Sequence, residues 1–122
     1  MTAAERMEQV VALLSGYRIP QATERQLQNG IATLLAGAGI AFKREFLLTG
    51  RDKPDFMLLP DVCLEVKIQG AAADVERQLL RYAASEHVAA LLLVTTRRAH
   101  GVMPRVLMGK PLMTLCVGSA FL

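Results

Sequence analysis

The sequence predicts an α/β fold in which one mixed β-sheet is flanked by helices. Segments with helical periodicity alternate with short apolar segments typical of strands, in the order helix, three strands, helix, strand. Residues 89–94 form a continuous apolar run, which is typical of a central strand covered on both faces. With 122 residues, 52% of them hydrophobic, the chain suits a single domain, 1–122, with one core.

Residues 1–17 are predicted to form an extra N-terminal helix. Thr2 and Glu5 have the spacing of a capping box, apolar residues then recur at helical spacing, and Gly16 can end the helix. A short linker separates this helix from the core, which we place at residues 21–96.

The core begins with a helix that starts at a second capping box, Thr23 and Gln26. Glu24 lies three residues before the apolar Leu27 and therefore leans toward the buried face. The simpler account of Glu24 is that its negative charge stabilises the helix, because it lies beside the positive end of the helix dipole. Gly30 weakens this helix by about 1 kcal/mol relative to alanine.

Three strands are predicted after this helix. Residues 40–49 form the first, and an apolar hairpin at 54–68 supplies the other two. Side chains two apart on a strand point to the same face, so Glu65 and Lys67 share a face. Charges on a mostly buried sheet are costly unless they have partners or bind metal, so these residues point to function.

The face on which Asp55 lies depends on the number of residues in the hairpin loop. A two-residue loop of Pro60 and Asp61 would place Asp55 on the face opposite to Glu65, because a one-residue slip reverses every side chain. A shared carboxylate site needs both acids on one face. We therefore expect an odd-length loop centred near Pro60, or a bulge, which puts Asp55 across from Glu65.

The C-terminal part of the chain is predicted to contain a helix, the central strand and a final strand. The helix runs from its expected N-cap, Asp74, to about Glu86. Segment 97–122 forms a loop and the last strand, 112–117, and it carries four basic residues and no acid. This imbalance favours a polyanionic partner, although a solvated basic surface is the simpler account of charge alone.

The cysteines and the apolar pattern predict a cytoplasmic protein. Cys63 and Cys116 fall in predicted strands without CxxC spacing, and we expect both to be buried and reduced. His87 and His100 are expected to be ordinary histidines of a loop or a helix end. The beginning of the sequence does not resemble a signal peptide, and no run approaches the ~20 apolar residues that span a bilayer, so no membrane partner is expected.

These motifs resemble the PD-(D/E)XK nuclease superfamily over residues 21–96. The resemblance implies the restriction-endonuclease-like fold, with an αβββαβ core and one mixed sheet. The matching residues are those of the D…ExK motif and of the QxxxY pattern of exonuclease-like members: Pro54, Asp55, Glu65, Val66, Lys67, Gln78 and Tyr82.

The resemblance also implies a magnesium site, in which Mn²⁺ can replace Mg²⁺. Its ligands would be the carboxylates of Asp55 and Glu65 and the main-chain carbonyl of Val66, and Glu24 would support the metal through water. Hard divalent cations of this kind stabilise charge on a phosphodiester and lower the pKa of a bound water.

The remaining candidate residues would act on the water or on the nucleic acid. Lys67 would orient or deprotonate the attacking water, or neutralise charge on the scissile phosphate. Gln78 would orient the site or the DNA strand, although a core amide accounts for it equally well. The candidate nucleic-acid contacts are Arg97, Arg98, Lys53, Tyr82 and Arg81.

The expected function is a metal-dependent nuclease that cleaves DNA in a structure-specific or sequence-independent way. DNA and RNA, and endonuclease and exonuclease, remain open at this point. A homodimer is compatible, because paired cuts in duplex DNA need two sites, and a partner protein could supply targeting. The alternatives are a non-catalytic nucleic-acid-binding module with this fold, and an interaction protein whose hairpin charges are exposed.

Overall fold

The computed structural model of this chain, which describes residues 1–118, contains a six-stranded mixed sheet with helices on both faces. The elements in chain order are α1 (Ala3–Ser15), α2 (Glu24–Gly37), β1 (Phe42–Arg44), β2 (Phe56–Leu58), β3 (Val62–Lys67), α3 (Ala72–Ala83), β4 (Ala90–Thr95), a 3₁₀ helix (Arg98–Val102), β5 (Val106–Leu107) and β6 (Lys110–Cys116). The predicted α/β class with a mixed sheet is confirmed.

The sheet combines an antiparallel part with a parallel part. Its strand order is β1-β2-β3-β4-β6-β5, in which β1, β2 and β3 are antiparallel neighbours. Strands β3, β4 and β6 run parallel, so their carboxyl ends lie at the same end of the sheet. Every residue of β4 is buried, as predicted for the central strand, and Thr95 at its end lies opposite Lys67.

Helices cover the two faces of the sheet unequally. Apolar side chains of α1 and α2 form one core with one face of β2, β3 and β4. Helix α3 forms a second core with the other face, which includes Met57 and Cys63. Because side chains alternate along a strand, Glu65 and Lys67 lie on the same face as Cys63, beneath α3.

The hairpin between β2 and β3 has the register predicted for a functional pair of acids. Leu58 lies opposite Val62 and Phe56 opposite Leu64, which leaves a three-residue loop, 59–61, centred on Pro60. The predicted odd-length loop is therefore confirmed. Continuing the same register by one residue brings Asp55 across from Glu65, and both side chains then belong to one face.

The two predicted helix starts differ in how completely they are capped. Thr2 and Glu5 form the reciprocal capping box of α1. Thr23 caps α2 by accepting the N–H of Gln26, but the Gln26 side chain accepts the N–H of Ala22 instead of completing the box. Each helix nevertheless begins within one residue of the predicted cap.

A close approach within the first core explains the glycine in α2. A Cβ on Gly30 would lie 2.5 Å from Cγ2 of Ile19, a side chain that is itself buried. The space that a side chain would need is already filled by Ile19. Glycine at this position lowers the helix propensity, but it leaves the space in which the Ile19 side chain packs.

Several predicted boundaries are wrong, each for a local reason. Strand β1 covers three residues, not 40–49, because Glu45 adopts a φ of 51° that ends the extended conformation. Helix α3 begins at Ala72, and Asp74 lies in its first turn. Cys116 is exposed rather than buried, because it is the last residue of β6.

The C-terminal part of the chain contains more structure than the sequence indicated. The predicted loop includes the 3₁₀ helix and the short edge strand β5, and the last strand begins two residues earlier than predicted. Residues 119–122 of the predicted segment 97–122 lie outside the described residues. Among residues 1–118, no helix has the length and apolar character that crossing a membrane requires.

Candidate active site

The acids of the hairpin contact each other through main-chain donors. The N–H of Asp55 donates to Oε1 of Glu65 at 3.1 Å, and the N–H of Val66 donates to Oδ2 of Asp55 at 2.8 Å. Glu65 is only 4% exposed, since α3 covers this face of the sheet. The two carboxylates therefore sit side by side at the carboxyl end of β3, and the hairpin face is not open to solvent.

Lys67 and Tyr82 complete the surroundings of Glu65. The ammonium nitrogen of Lys67 lies 3.5 Å from Oε2, and the hydroxyl of Tyr82 donates to Oε1 at 3.3 Å. Tyr82 is 1% exposed, and burial together with the charge of Glu65 raises the pKa of its hydroxyl, so it stays protonated as a donor. This burial argues against the nucleic-acid contact expected for Tyr82 and makes it a residue that holds Glu65.

Burial disfavours the ionised form of both Asp55 and Glu65. Loss of hydration and the charge of Asp55 raise the pKa of Glu65 to about 7, while Lys67 acts in the opposite direction. The pKa of Asp55 is also raised, first by burial and then by the charge of Glu24, against the lowering effect of the Val66 N–H. A positive ion between the two carboxylates would remove this penalty.

The donor set at this point suits a hard divalent cation. The carbonyl of Lys67 accepts the N–H of Thr96 on the β4 side at 3.3 Å. Successive carbonyls of a strand point to opposite neighbours, so the carbonyl of Val66 points toward β2 and Asp55. Two carboxylates and one carbonyl are the oxygen ligands that Mg²⁺ and Mn²⁺ prefer, and waters or phosphate oxygens usually complete their coordination.

Glu24 approaches the site from the start of α2 without joining the two acids as a third ligand. Its Oε1 accepts the N–H of Ile68 at 3.2 Å, directly after β3, and its charge acts on Asp55. Within residues 1–118, no group of three or more His, Cys, Asp or Glu side chains is arranged to hold a metal ion. This position is compatible with support through water, and not with the direct ligation that a three-carboxylate site would require.

Gln78 lies on the face of α3 that borders a cavity beside Lys67. The cavity has a volume of about 350 Å³ and lies between the end of β3, the turn after β3 and α3. The residues that line it are Lys67, Gln69, Gly70, Asp74, Val75, Arg77, Gln78 and Arg81. Gln78 and Tyr82 are one helical turn apart and lie on the same side of α3, where Gln78 lines the cavity and Tyr82 bonds to Glu65.

The basic residues predicted to contact nucleic acid differ in their partners. Arg97 and Arg98 are exposed in the loop at the carboxyl end of β4, the end that also carries Lys67. Lys53 lies 3.6 Å from Glu45, and Arg81 donates through Nε to Asp52 at 3.0 Å. Arg81 also lines the cavity beside Lys67.

Lys110 shows that the basic C-terminal segment is not uniformly available to a polyanion. Its ammonium donates to the carbonyls of Ala83 and Ser85 at 2.7 Å each, which places it against the end of α3. A cation is favourable at this end of a helix dipole. Lys110 therefore has a structural role, and the exposed arginines are the better candidates for phosphate contacts.

Two residues near the site were not found from the sequence. The polar side chain of Gln28 lowers the pKa of Asp55, and its position one helical turn after Glu24 was a usable signal. His100, expected to be an ordinary histidine, is fully buried and bonds to Thr95, which pairs with Lys67, and to Gly70 in the turn after β3. Its sequence surroundings gave no signal, because its partners lie in other elements.

The site combines the parts that hydrolysis of a phosphodiester needs: carboxylate oxygens for a cation, a lysine beside them, and exposed arginines at the same end of the sheet. No protein-family model, curated protein or solved structure matches this chain.

Proposed function

We propose that this protein is a metal-dependent nuclease with a restriction-endonuclease-like fold, which hydrolyses phosphodiester bonds in DNA. The observation that carries the proposal is the hydrogen-bonded pair of Asp55 and Glu65, with Lys67 3.5 Å from Glu65, on one covered face of the sheet. A buried pair of like charges is costly, and a protein that only bound DNA would not need it.

Asp55, Glu65 and the carbonyl of Val66 would hold Mg²⁺ or Mn²⁺ at the carboxyl end of β3. The cation would supply a more acidic water and stabilise charge on the phosphate. Tyr82 keeps the Glu65 carboxylate in place through its hydrogen bond to Oε1. Lys67 stands where it can orient or deprotonate the attacking water, or neutralise charge on the scissile phosphate.

The substrate would be DNA recognised by its backbone or its structure rather than by its sequence. Exposed Arg97 and Arg98 at the site's end of the sheet, with a net charge of +3, support phosphate contacts. A homodimer or a targeting partner would extend recognition beyond one site. The free thiols Cys63 and Cys116 are in keeping with a cytoplasmic protein.

The decisive experiment is a cleavage assay with purified protein and Mg²⁺ or Mn²⁺ against labelled single strands, duplexes, flaps, junctions and RNA. Wild type should cleave at least one DNA substrate, and Lys67→Ala should lose about 10²-fold or more in rate while it still binds that substrate. Lys43→Ala, which changes an exposed lysine of β1, is the matched control and should keep full activity.

Two outcomes would count against the nuclease. If wild type binds nucleic acid but cleaves nothing in the panel, the non-catalytic binding module becomes the better account. If Lys67→Ala cleaves as fast as wild type, the observed activity does not come from this site.

A further inference from the structure

A buried histidine bonds to one wall of the cavity beside Lys67. His100 lies in the 3₁₀ helix after β4 and is fully buried. Its Nδ1 lies 2.7 Å from the hydroxyl oxygen of Thr95, and its Nε2 lies 2.7 Å from the carbonyl oxygen of Gly70. The ring therefore joins the end of β4 to the turn that follows β3.

The hydrogen-bond partners assign a proton to one ring nitrogen of His100. A carbonyl oxygen can only accept, so Nε2 carries a proton and donates it to Gly70. The other nitrogen, Nδ1, is hydrogen-bonded to the hydroxyl of Thr95, which also accepts the N–H of Arg97 at 3.0 Å. The network thus connects Arg97, Thr95, the ring and Gly70, and both ring nitrogens have a partner.

The network restrains the turn that connects Lys67 with α3. Within residues 1–118, two side chains hydrogen-bond to residues 68–70: Glu24 accepts an N–H at the start of the turn, and His100 donates to the carbonyl at its end. Gly70 has a φ of 107°, a conformation that side-chain-bearing residues rarely adopt. The direction of its carbonyl is therefore a special feature of this turn, and His100 is the side chain that holds it.

The other end of the network lies on the strand beside Lys67. Thr95 is the β4 residue that pairs with Lys67 of β3. His100 therefore holds the neighbour of Lys67 in the sheet and also the turn that follows Lys67 in the chain. An apolar side chain could fill the same space without two polar partners, so packing alone does not explain a histidine here.

We propose that His100 is a positioning residue, which acts through Thr95 and Gly70 to keep Lys67 and the cavity wall aligned with the two carboxylates. The inference rests on the proposed nuclease function, because Lys67 is the group whose placement matters for cleavage. Displacement of such a group by about 1 Å can cost up to 10²-fold in rate.

The test compares two substitutions that each keep one half of the network. In His100→Gln, the amide nitrogen can still reach the carbonyl of Gly70, whereas the shorter His100→Asn keeps a polar atom near Thr95 and loses Gly70. We expect His100→Asn to lower kcat about tenfold or more with little change in KM, and His100→Gln to recover most of that loss. His87→Asn changes an exposed histidine and should match wild type.

A second comparison separates positioning from a general effect on folding. If His100 acts through Lys67, His100→Asn should cause no further loss of rate in a Lys67→Ala background. An equal loss in both backgrounds, or equal activity of His100→Asn and wild type, would overturn the inference and leave the nuclease proposal standing.

Amide hydrogen exchange at Ile68 and Thr96, whose N–H groups donate to Glu24 and to the carbonyl of Lys67, supplies a readout that does not depend on cleavage. Exchange should accelerate in His100→Asn and return toward the wild-type rate in His100→Gln. If wild type cleaves nothing, the nuclease proposal fails, and the exchange rates still decide whether His100 orders the turn. Unchanged exchange in His100→Asn would show that it does not.

Discussion

The main-chain N–H of Asp55 donates to Oε1 of Glu65, so the backbone of one acid fixes the carboxylate of the other. The carboxylate of Asp55 accepts in turn from the N–H of Val66 on the opposite strand. These two bonds occur where regular pairing ends, because β2 begins only at Phe56. A substitution at either acid is therefore expected to disturb the other as well.

Stability without metal should fall as pH rises through neutrality. Burial and Asp55 raise the pKa of folded Glu65 to about 7, whereas an unfolded glutamate titrates near 4.3. Between these two pKa values the folded state binds more protons than the unfolded state. The contribution of Glu65 to the free energy of unfolding is therefore fully present below the unfolded pKa and is lost as pH rises through 7. The raised pKa of Asp55 acts in the same direction. The loss should be on the order of 3 kcal/mol or less, and urea unfolding in EDTA at pH 5 to 8 measures it.

Glu65→Gln is the control for this pH dependence. The variant lacks the titrating carboxyl, so its stability should change less with pH, and Mg²⁺ should stabilise it less than it stabilises wild type at pH 8. Stability that rises from pH 5 to 8 in metal-free wild type would contradict the raised pKa of Glu65.

Glu24→Gln should separate the charge of Glu24 from its hydrogen bond. The amide oxygen can still accept the N–H of Ile68, so the fold should be kept. Loss of the charge should weaken Mg²⁺ binding, so the Mg²⁺ concentration needed for half-maximal cleavage should rise about tenfold or more, with recovery at high Mg²⁺. Glu8→Gln, an exposed change on α1, serves as control. Unaltered turnover at limiting Mg²⁺ would remove Glu24 from the site.

The double change Arg97→Ala and Arg98→Ala should weaken binding of DNA about equally across sequences. Each phosphate contact adds about one unit to the log–log salt dependence, so the slope should flatten by up to about two units. Arg105→Ala changes an exposed arginine near the start of β6, at the opposite end of the sheet, and should leave the slope unchanged. An unchanged slope and affinity in the double variant would direct attention to Arg81 and Lys53.

Replacing each of two glycines of α2 with alanine should change the stability of the protein in opposite directions. Gly37→Ala meets no atom within 4 Å and should stabilise the helix by up to about 1 kcal/mol. Gly30→Ala would place its Cβ against Ile19, so we expect a net loss of about 1 kcal/mol despite better helix propensity. Thermal unfolding should show shifts of a few degrees in opposite directions. Equal stabilisation by both changes would show that Ile19 moves freely.

The sequence was sufficient to predict the features that depend on periodicity and on the pairing rules of strands. The face shared by Glu65 and Lys67 follows from alternation along a strand, and the odd loop at Pro60 follows from the need to bring Asp55 to the same face. The start of α2 follows from the side chain of Thr23. Alternation and capping are local rules, whereas the loop length also needed the hypothesis that the two acids form one site.

The sequence was insufficient where a single backbone conformation or a tertiary contact decides the outcome. The early end of β1 depends on the backbone of Glu45, and the exposure of Cys116 depends on where β6 ends. The role of His100 depends on Gly70 and Thr95, which reach it through the packing of separate elements. Such contacts leave no periodic pattern in the chain, so they could not be predicted from it.

The register of the hairpin also limits where this segment can change in length. A residue inserted into or deleted from β3 before Glu65 breaks the alternation and sends this acid to the face beneath α1 and α2. A change within the loop, 59–61, leaves the strand pairs in place and is absorbed by the loop at a small entropic cost. In engineered variants of this protein, tolerated changes in hairpin length should therefore fall in the loop and not in the strands.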